Sequence, residues 1–337
     1  MDLQDFLREW RSEAPTVMVH TSGSTGYPKP LLVEKRRMEA SARMTCRFLG
    51  LREGDSVLLC MPLDFIAGKM MVVRALTCGL TLLDVPPVGH PLAGFGPSLS
   101  PEEPRIDLAA MVPLQVWNTL RVPEERERLR HVRHLLIGGG PVDDTMAREL
   151  RDFPNAVWST YGMTETLSHI ALRRLSGPEA SQWYTPFDGV TVSLTAEGCL
   201  VIDAPAVHDG PLVTNDIAEL EPASAAGQGR QRFRILGRKD NVVCSGGVKI
   251  QIEEVERLLR PHLDVPFMVT KAPDARLGEQ VVLLVEAADV AAIEALCRRV
   301  LPKYWVPRRL LTVASLPLTA TGKPARHEAE RLARELG

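Results

Sequence analysis

The sequence predicts an α/β layer structure, with a large domain over residues 1–238 and a small α+β unit over residues 239–337. Three observations predict it. Short apolar runs alternate with amphipathic stretches through the first two thirds of the chain, the pattern of strands and helices stacked in layers. From about Val190 the pattern changes to hairpins, a β-rich subregion, and the segment GRKDN at 237–241 then breaks the chain with polar residues. The length of 337 residues also exceeds what one hydrophobic core usually serves.

Taken in order, Val17 to His20 is a strand that leads into the Gly/Ser/Thr loop from residue 21. A helix is expected from about Glu34 to Leu49, because Met38, Ala42, Thr45 and Leu49 recur on one face. Val57 to Met61 is the next strand. Phe65 to Cys78 has a helical pattern that Gly79 stops, and Leu80 to Val85 is a strand ended by Pro86 and Pro87. Leu135 to Ile137 and Ala156 to Ser159 repeat the strand-then-loop theme. In the β-rich part, Cys199 to Asp203 and Gln231 to Leu236 are strands separated by the loop EPASAAGQGRQ. The remainder predicts a helix over 252–260, strands near 266–270 and 280–286, and a helix near 289–300.

Composition narrows the function classes. Apolar residues make up 45% and charged residues 24%, values ordinary for a globular protein. Forty basic and 42 acidic residues are well mixed, so there is no electrostatic footprint for nucleic acid. The six cysteines lie far apart with no CxxC pair, which argues against a zinc site or a disulfide framework. No apolar stretch approaches the ~18 residues of a membrane span, and the start MDLQDFLREW is not a secretory signal. A cytoplasmic location is expected.

Six segments carry chemistry. TSGSTGYPK at 21–29 packs two glycines, four serine and threonine hydroxyls and a lysine between a strand and a helix, which is how backbone N–H groups and hydroxyls cradle phosphate. Its spacing is neither a P-loop nor a dinucleotide fingerprint, and alone it is equally a flexible turn. LLIGGGPVDD at 135–144 is a strand running into three glycines, on its own a tight turn. STYGMTET at 159–166 joins an aromatic to a Thr–Glu pair, which also fits the start of a capped helix. TND at 214–216, alone, makes Asp216 a turn residue. GRKDNVVCSGGVKIQIEEVE at 237–256 and LPLTATGKPAR at 316–326 complete the set, the former also readable as a loop before a solvated helix and the latter as an ordinary C-terminal surface lysine.

In this order the segments resemble the signatures of the acyl-adenylate-forming, or AMP-binding, superfamily. The resemblance implies that Thr21, Ser22, Gly23, Ser24, Thr25, Gly26 and Lys29 hold the phosphates of ATP. It implies that Gly138, Gly139 and Gly140 leave room for adenine, that Tyr161 stacks on the base, and that Thr164 donates to the α-phosphate. Glu165 would hold Mg²⁺, a hard cation that prefers oxygen ligands. Asp216 would bind the ribose, Arg238 would reach the ribose or the phosphates, Asp240 would be the hinge of a mobile C-terminal domain, and Gly246 and Gly247 would border a channel for coenzyme A. Lys323 would be the catalytic lysine that orients a carboxylate against the α-phosphorus. Residues 1–238 are then the ATP- and acid-binding domain, and 239–337 the domain that delivers Lys323.

GMTETLSHIALR and DNVVCSGGVKIQIEEVE look like o-succinylbenzoate:CoA ligases of menaquinone biosynthesis, in an unusually short form. That substrate carries two carboxylates, so a cation or donor should meet the one that does not react. Lys69, Ser168 and His169 are the candidates, although an amphipathic helix would usually expose Lys69 and His169 could be a satisfied structural histidine. A ligase for another aryl or short-chain acid, and a non-catalytic nucleotide-binding relative, stay open. Family members usually carry a substantial region ahead of the phosphate loop that is not present here, and a homodimer contact could fill the gap.

Overall fold

The structure, a computed structural model, describes residues 1–20, 30–95, 105–222, 230–286, 290–319 and 324–336. Helix α1 (Leu3–Arg11) is followed by the antiparallel pair β1 (Thr16–His20) and β2 (Pro30–Glu34), whose register closes at His20 opposite Pro30. Next come α2 (Lys35–Leu49), β3 (Ser56–Leu59), α3 (Ile66–Cys78), β4 (Thr81–Asp84), β5 (Leu108–Met111), α4 (Pro113–Arg121), α5 (Pro123–Arg130), β6 (His134–Ile137), α6 (Asp144–Leu150), β7 (Ala156–Gly162), β8 (His169–Arg174) and β9 (Thr185–Pro186). Among the described residues these strands form one sheet in the order β4-β3-β5-β6-β7-β8-β9, parallel from β4 to β7 and antiparallel beyond. Open parallel sheets of this kind bind ligands beyond the carboxyl ends of their strands.

Side-chain alternation divides the core into two. Val57, Leu59, Leu108 and Leu136 face α2 and α3, whereas Leu58, Ala109, Leu135 and Ile137 face the α4 to α6 side. Helix α2 buries Met38, Ala42, Thr45 and Leu49 as the periodicity requires, and Gly50 and Gly79 end α2 and α3 in the left-handed conformation. Helix α3 differs from the expected amphipathic helix, because Gly68 to Ala75 are all buried and the helix has almost no solvent face.

The β-rich part is a second sheet, β10 (Thr191–Leu194), β11 (Cys199–Asp203), β12 (Leu212–Leu220) and β13 (Phe233–Arg238), all antiparallel. Sequence reasoning missed β12. Asp216 therefore lies within a strand, opposite Arg238, and not in a turn. STYGM likewise continues strand β7 through Gly162 and starts no helix.

The last unit begins with the hairpin β14 (Val242–Ser245) and β15 (Val248–Gln251), then α7 (Ile252–Leu259), β16 (Phe267–Asp274), β17 (Gly278–Val285), α8 (Val290–Val300), β18 (Arg309–Thr312) and α9 (Arg326–Glu335). Its sheet buries one face under α7 and α8 and the other under α9. Arg326 docks α9 by a two-armed pair with Glu256, at 2.6 and 2.7 Å, and donates to the carbonyl of Val269 at 2.8 Å. That pair holds the base of the LPLTATGKPAR loop, which Leu318 and Pro324 close by a strand bridge.

Candidate active site

Four of the predicted segments meet at the carboxyl ends of β6 and β7. Gly138 follows β6, and a Cβ there would strike the hydroxyl of Thr160 on β7. Gly139 takes a positive φ of 79°. The first two glycines of this turn are thus demanded by the neighbouring strand and by the backbone itself; Gly140 meets nothing closer than Pro113 at 3.5 Å. Tyr161, next along β7, packs edge-on against Phe233 with ring centres 5.1 Å apart, and its hydroxyl donates to Asp216 Oδ2 at 2.6 Å. Burial, and then the charge and hydrogen bond of Asp216, hold this phenol well above its ordinary range, so it stays a donor. Asp216 Oδ1 accepts from Arg238 at 3.3 Å, and Arg238 donates to Asp240 at 2.9 Å. Asp240 is reached in turn by Asn215 at 3.3 Å.

Beyond Tyr161 the chain doubles back sharply. A Cβ on Gly162 would overlap the carbonyl oxygen of Ser168 and lie 2.5 Å from the Cα of His169, so only glycine fits. The turn is closed by Leu167 N–H to the carbonyl of Thr164 at 2.9 Å, and Thr166 accepts from Met163 N at 3.0 Å and donates to Ser168 O at 2.8 Å. Leu167 sits at φ 65°, a left-handed conformation that costs a non-glycine residue on the order of 1–2 kcal/mol. Thr164 lies within this strained turn. Glu165 projects from it, exposed, with no hydrogen-bond or ion-pair partner among the described residues.

Ser168 and His169 emerge from the turn onto α2 and α3. His169 Nε2 lies 3.0 Å from Thr45 Oγ1 and Nδ1 lies 3.2 Å from Ser168 Oγ. Burial, and then the charge of Arg74, hold the imidazole well below its ordinary range, hence neutral. Arg74 of α3 donates from Nη2 to Ser168 Oγ at 2.7 Å. It is 2% exposed, has no carboxylate within 4 Å among the described residues, and its Nε has no acceptor. Burial pulls it down to about 10, and even so it remains a cation at neutral pH.

Lys69 is a correction. Its ammonium, 2% exposed, donates to the carbonyl of Met18 at 2.5 Å and pairs with Glu9 of α1 at 3.6 Å, and it lies over the ring of Phe6. The lysine is committed to fastening α1 and β1 to α3 and is not available to an acid. Sequence reasoning missed Arg74, five residues on. The available signal was a helix apolar all round, in which any charged residue must be buried.

Comparison with known proteins decides the family. The sequence model of the AMP-binding enzyme family matches residues 4–204, and that of the AMP-binding enzyme C-terminal domain matches residues 254–323. The chain belongs to the AMP-binding enzyme family. It is 26% identical, over 97% of its own length and 72% of the relative's, to a 2-succinylbenzoate–CoA ligase of Bacillus mycoides (strain KBAB4). A crystal structure of an acyl-CoA synthetase (AMP-forming)/AMP-acid ligase II-like protein from Dyadobacter fermentans DSM 18053 is 33% identical, with a TM-score of 0.63, covering 96% of this chain and 92% of that one. The o-succinylbenzoate coenzyme A synthetase of Bacillus subtilis, solved with ATP and magnesium ion, shares the fold at 22% identity and a TM-score of 0.72, over 92% of this chain and 69% of that one.

Within this AMP-binding enzyme, Thr21, Ser22, Gly23, Ser24, Thr25, Gly26, Lys29 and Lys323 lie outside the described residues. Their anchors do not. His20 bridges to Phe65 at the start of α3, so β1 ends beside the helix that carries Arg74. Gly246 and Gly247 form the two-residue tip of the β14–β15 hairpin at φ 58° and 84°. Positive φ at both central residues is the requirement of the hairpin turn itself. No helix of the described residues is long and apolar enough to cross a membrane, and no cluster of three or more acidic, His or Cys side chains among them could hold a metal unaided.

Proposed function

We propose that this AMP-binding enzyme is an ATP-dependent acid:CoA ligase whose acid is o-succinylbenzoate, an aromatic keto acid with two carboxylates. The coarser statement, an AMP-forming acid–CoA ligase, follows from the family and from relatives along nearly the whole chain. The observation that carries the finer one is Arg74. A buried guanidinium without a counter-ion costs several kcal/mol, and a fold keeps it where a ligand supplies the missing anion. A monocarboxylic acid spends its one carboxylate on phosphorus and leaves Arg74 unmatched; a dicarboxylic acid matches it.

In the reaction, one carboxylate oxygen attacks the α-phosphorus of ATP and pyrophosphate departs with the electrons of the broken P–O bond. The thiol of coenzyme A, losing its proton, then attacks the acyl carbon and AMP leaves. Tyr161, Asp216 and Arg238 hold base and ribose, with the glycine turn at 138–140 beside them, and Thr164 with residues 21–26 and Lys29 holds the phosphates. Glu165 offers the free hard oxygen that Mg²⁺ takes alongside phosphate oxygens; when bound, the ion neutralises charge on the triphosphate. Lys323 orients the attacking carboxylate. Residues 239–337 form the unit that moves about Asp240, which Arg238 and Asn215 tether in the arrangement described. The Gly246–Gly247 tip then borders the path of the coenzyme A thiol.

Pyrophosphate release from o-succinylbenzoate, benzoate and acetate, each with and without coenzyme A, tests the reading. A preference of about a hundredfold or more for the dicarboxylic acid is expected, and equal turnover of acetate would refute it. Lys323→Ala is expected to keep the fold and lose about 10²- to 10³-fold in ATP–pyrophosphate exchange.

A further inference from the structure

We propose that Thr45 and His169 are positioning residues of the acid site, fixing through one directional hydrogen-bond chain how Ser168 and Arg74 are presented to the substrate. The proposal rests on the dicarboxylic-acid reading of Arg74 and extends it to two residues that need not touch the acid.

The Arg74 end of the chain is fixed by chemistry, and the direction that satisfies every contact follows from the Ser41 end. At one end Thr45 Oγ1 lies 3.2 Å from the carbonyl of Ser41, which only accepts, so the threonine proton points there. Towards His169 Nε2, 3.0 Å away, Thr45 can then only accept, so Nε2 carries the ring proton. At the other end Arg74 only donates, so Ser168 Oγ accepts its Nη2–H at 2.7 Å. Ser168 keeps one proton, and the bare Nδ1 of the neutral ring, 3.2 Å away, takes it. The order Arg74 to Ser168 to His169 to Thr45 to Ser41 satisfies all four contacts. With the ring proton on Nδ1, Thr45 would reach Nε2 only by giving up the carbonyl of Ser41, and Ser168 would accept twice while its own proton lost the ring as acceptor.

The direction has a consequence for binding. Ser168 has no proton left for a ligand, and among the described residues Arg74 Nη1 meets the sulfur of Met71 at 3.4 Å, a weak acceptor. The buried Nε–H is left without an acceptor. The chain thus pins one edge of the guanidinium and presents a donor-only group to the acid's second carboxylate. A serine free to rotate would blur that selection.

The test uses the full chain. In Thr45→Val the ring loses its acceptor at Nε2. The ratio of kcat/KM for o-succinylbenzoate to that for benzoate is expected to fall about tenfold, the loss of one buried hydrogen bond, through KM for o-succinylbenzoate more than through kcat. Two-bond ¹H–¹⁵N correlations should show His169 protonated at Nε2 in the wild type and partly at Nδ1 in Thr45→Val. Thr45→Ser, which keeps the hydroxyl, should restore both readouts. A wild-type ring protonated at Nδ1, an unchanged ratio, or equal losses on both acids would overturn the proposal. If Arg74→Met abolishes the preference while Thr45→Val leaves it intact, the positioning role alone is lost. If the wild type shows no preference, the dicarboxylic-acid reading is lost and the proposal with it.

Discussion

The two ends of helix α3 each bury a cation, and they do so in opposite ways. At the first turn Lys69 is satisfied by the protein itself, through the carbonyl of Met18 and the carboxylate of Glu9. Seen from Glu9 the arrangement is reciprocal, because that carboxylate also accepts from Met18 N at 3.1 Å. In the second half Arg74 is as deeply buried but meets one serine hydroxyl, one sulfur and no anion among the described residues. Burial depth and charge are alike, so partnering separates the cation the protein satisfies from the one it leaves without an anion among the described residues.

The same substitution at both positions should therefore act with opposite signs. Arg74→Met removes an uncompensated charge. Its kcat/KM for o-succinylbenzoate should fall by about 10²- to 10³-fold, while the ligand-free protein becomes more stable by about 1–3 kcal/mol in urea unfolding. Lys69→Met strands Glu9 without its counter-ion, and should destabilise by about 2–4 kcal/mol with the preference among acids kept within about threefold. A rise in stability for Lys69→Met, or a fall for Arg74→Met, would break the comparison.

Arg238 supplies a third, more exposed environment, with two carboxylates and a side chain 39% exposed. Arg238→Met should shift stability by less than about 1 kcal/mol and raise KM for ATP several-fold, read from initial rates. A pH-dependent effect comes from His134, at the amino end of β6, whose two ring nitrogens are buried without partners. Burial, and then Arg133 and Arg174, lower it to about 4 from 6.5. The unfolded chain takes up a proton below pH 6.5 and the folded one does not until about pH 4, so stability is intact above 6.5 and declines as the pH falls between these values. Urea midpoints from pH 7.5 to 5 should show a loss of about 1–2 kcal/mol, and His134→Phe should flatten that slope.

How much of this was legible in the sequence depended on whether local pattern or tertiary contact decided the outcome. Helix α2 was read with its buried face because 3.6-residue periodicity is local, and Gly79 marked the end of α3 because glycine is needed there. Strand β12 was not, because Thr214, Asn215 and Asp216 have turn-forming side chains and their pairing partners lie as far off as Arg238. The opposite fates of Lys69 and Arg74 were invisible for a related reason. Nothing local tells which lysine will find a carboxylate 60 residues upstream, on α1. The meeting of Tyr161, Asp216 and Arg238 was anticipated only through the family resemblance, and the hydrogen bonds that join them had no trace in the spacing.

Gly162 leaves a practical constraint on any attempt to redirect this enzyme. Tyr161 on its amino side is a residue of the proposed nucleotide half, while Ser168 and His169, against which its bare Cα rests, are residues of the proposed acid half. A single methyl group at that crossing would push both halves out of register together. Libraries aimed at new acids should leave position 162 untouched and vary α2 and α3, the wall of the proposed acid site, which can be recut without disturbing the residues proposed to hold adenosine.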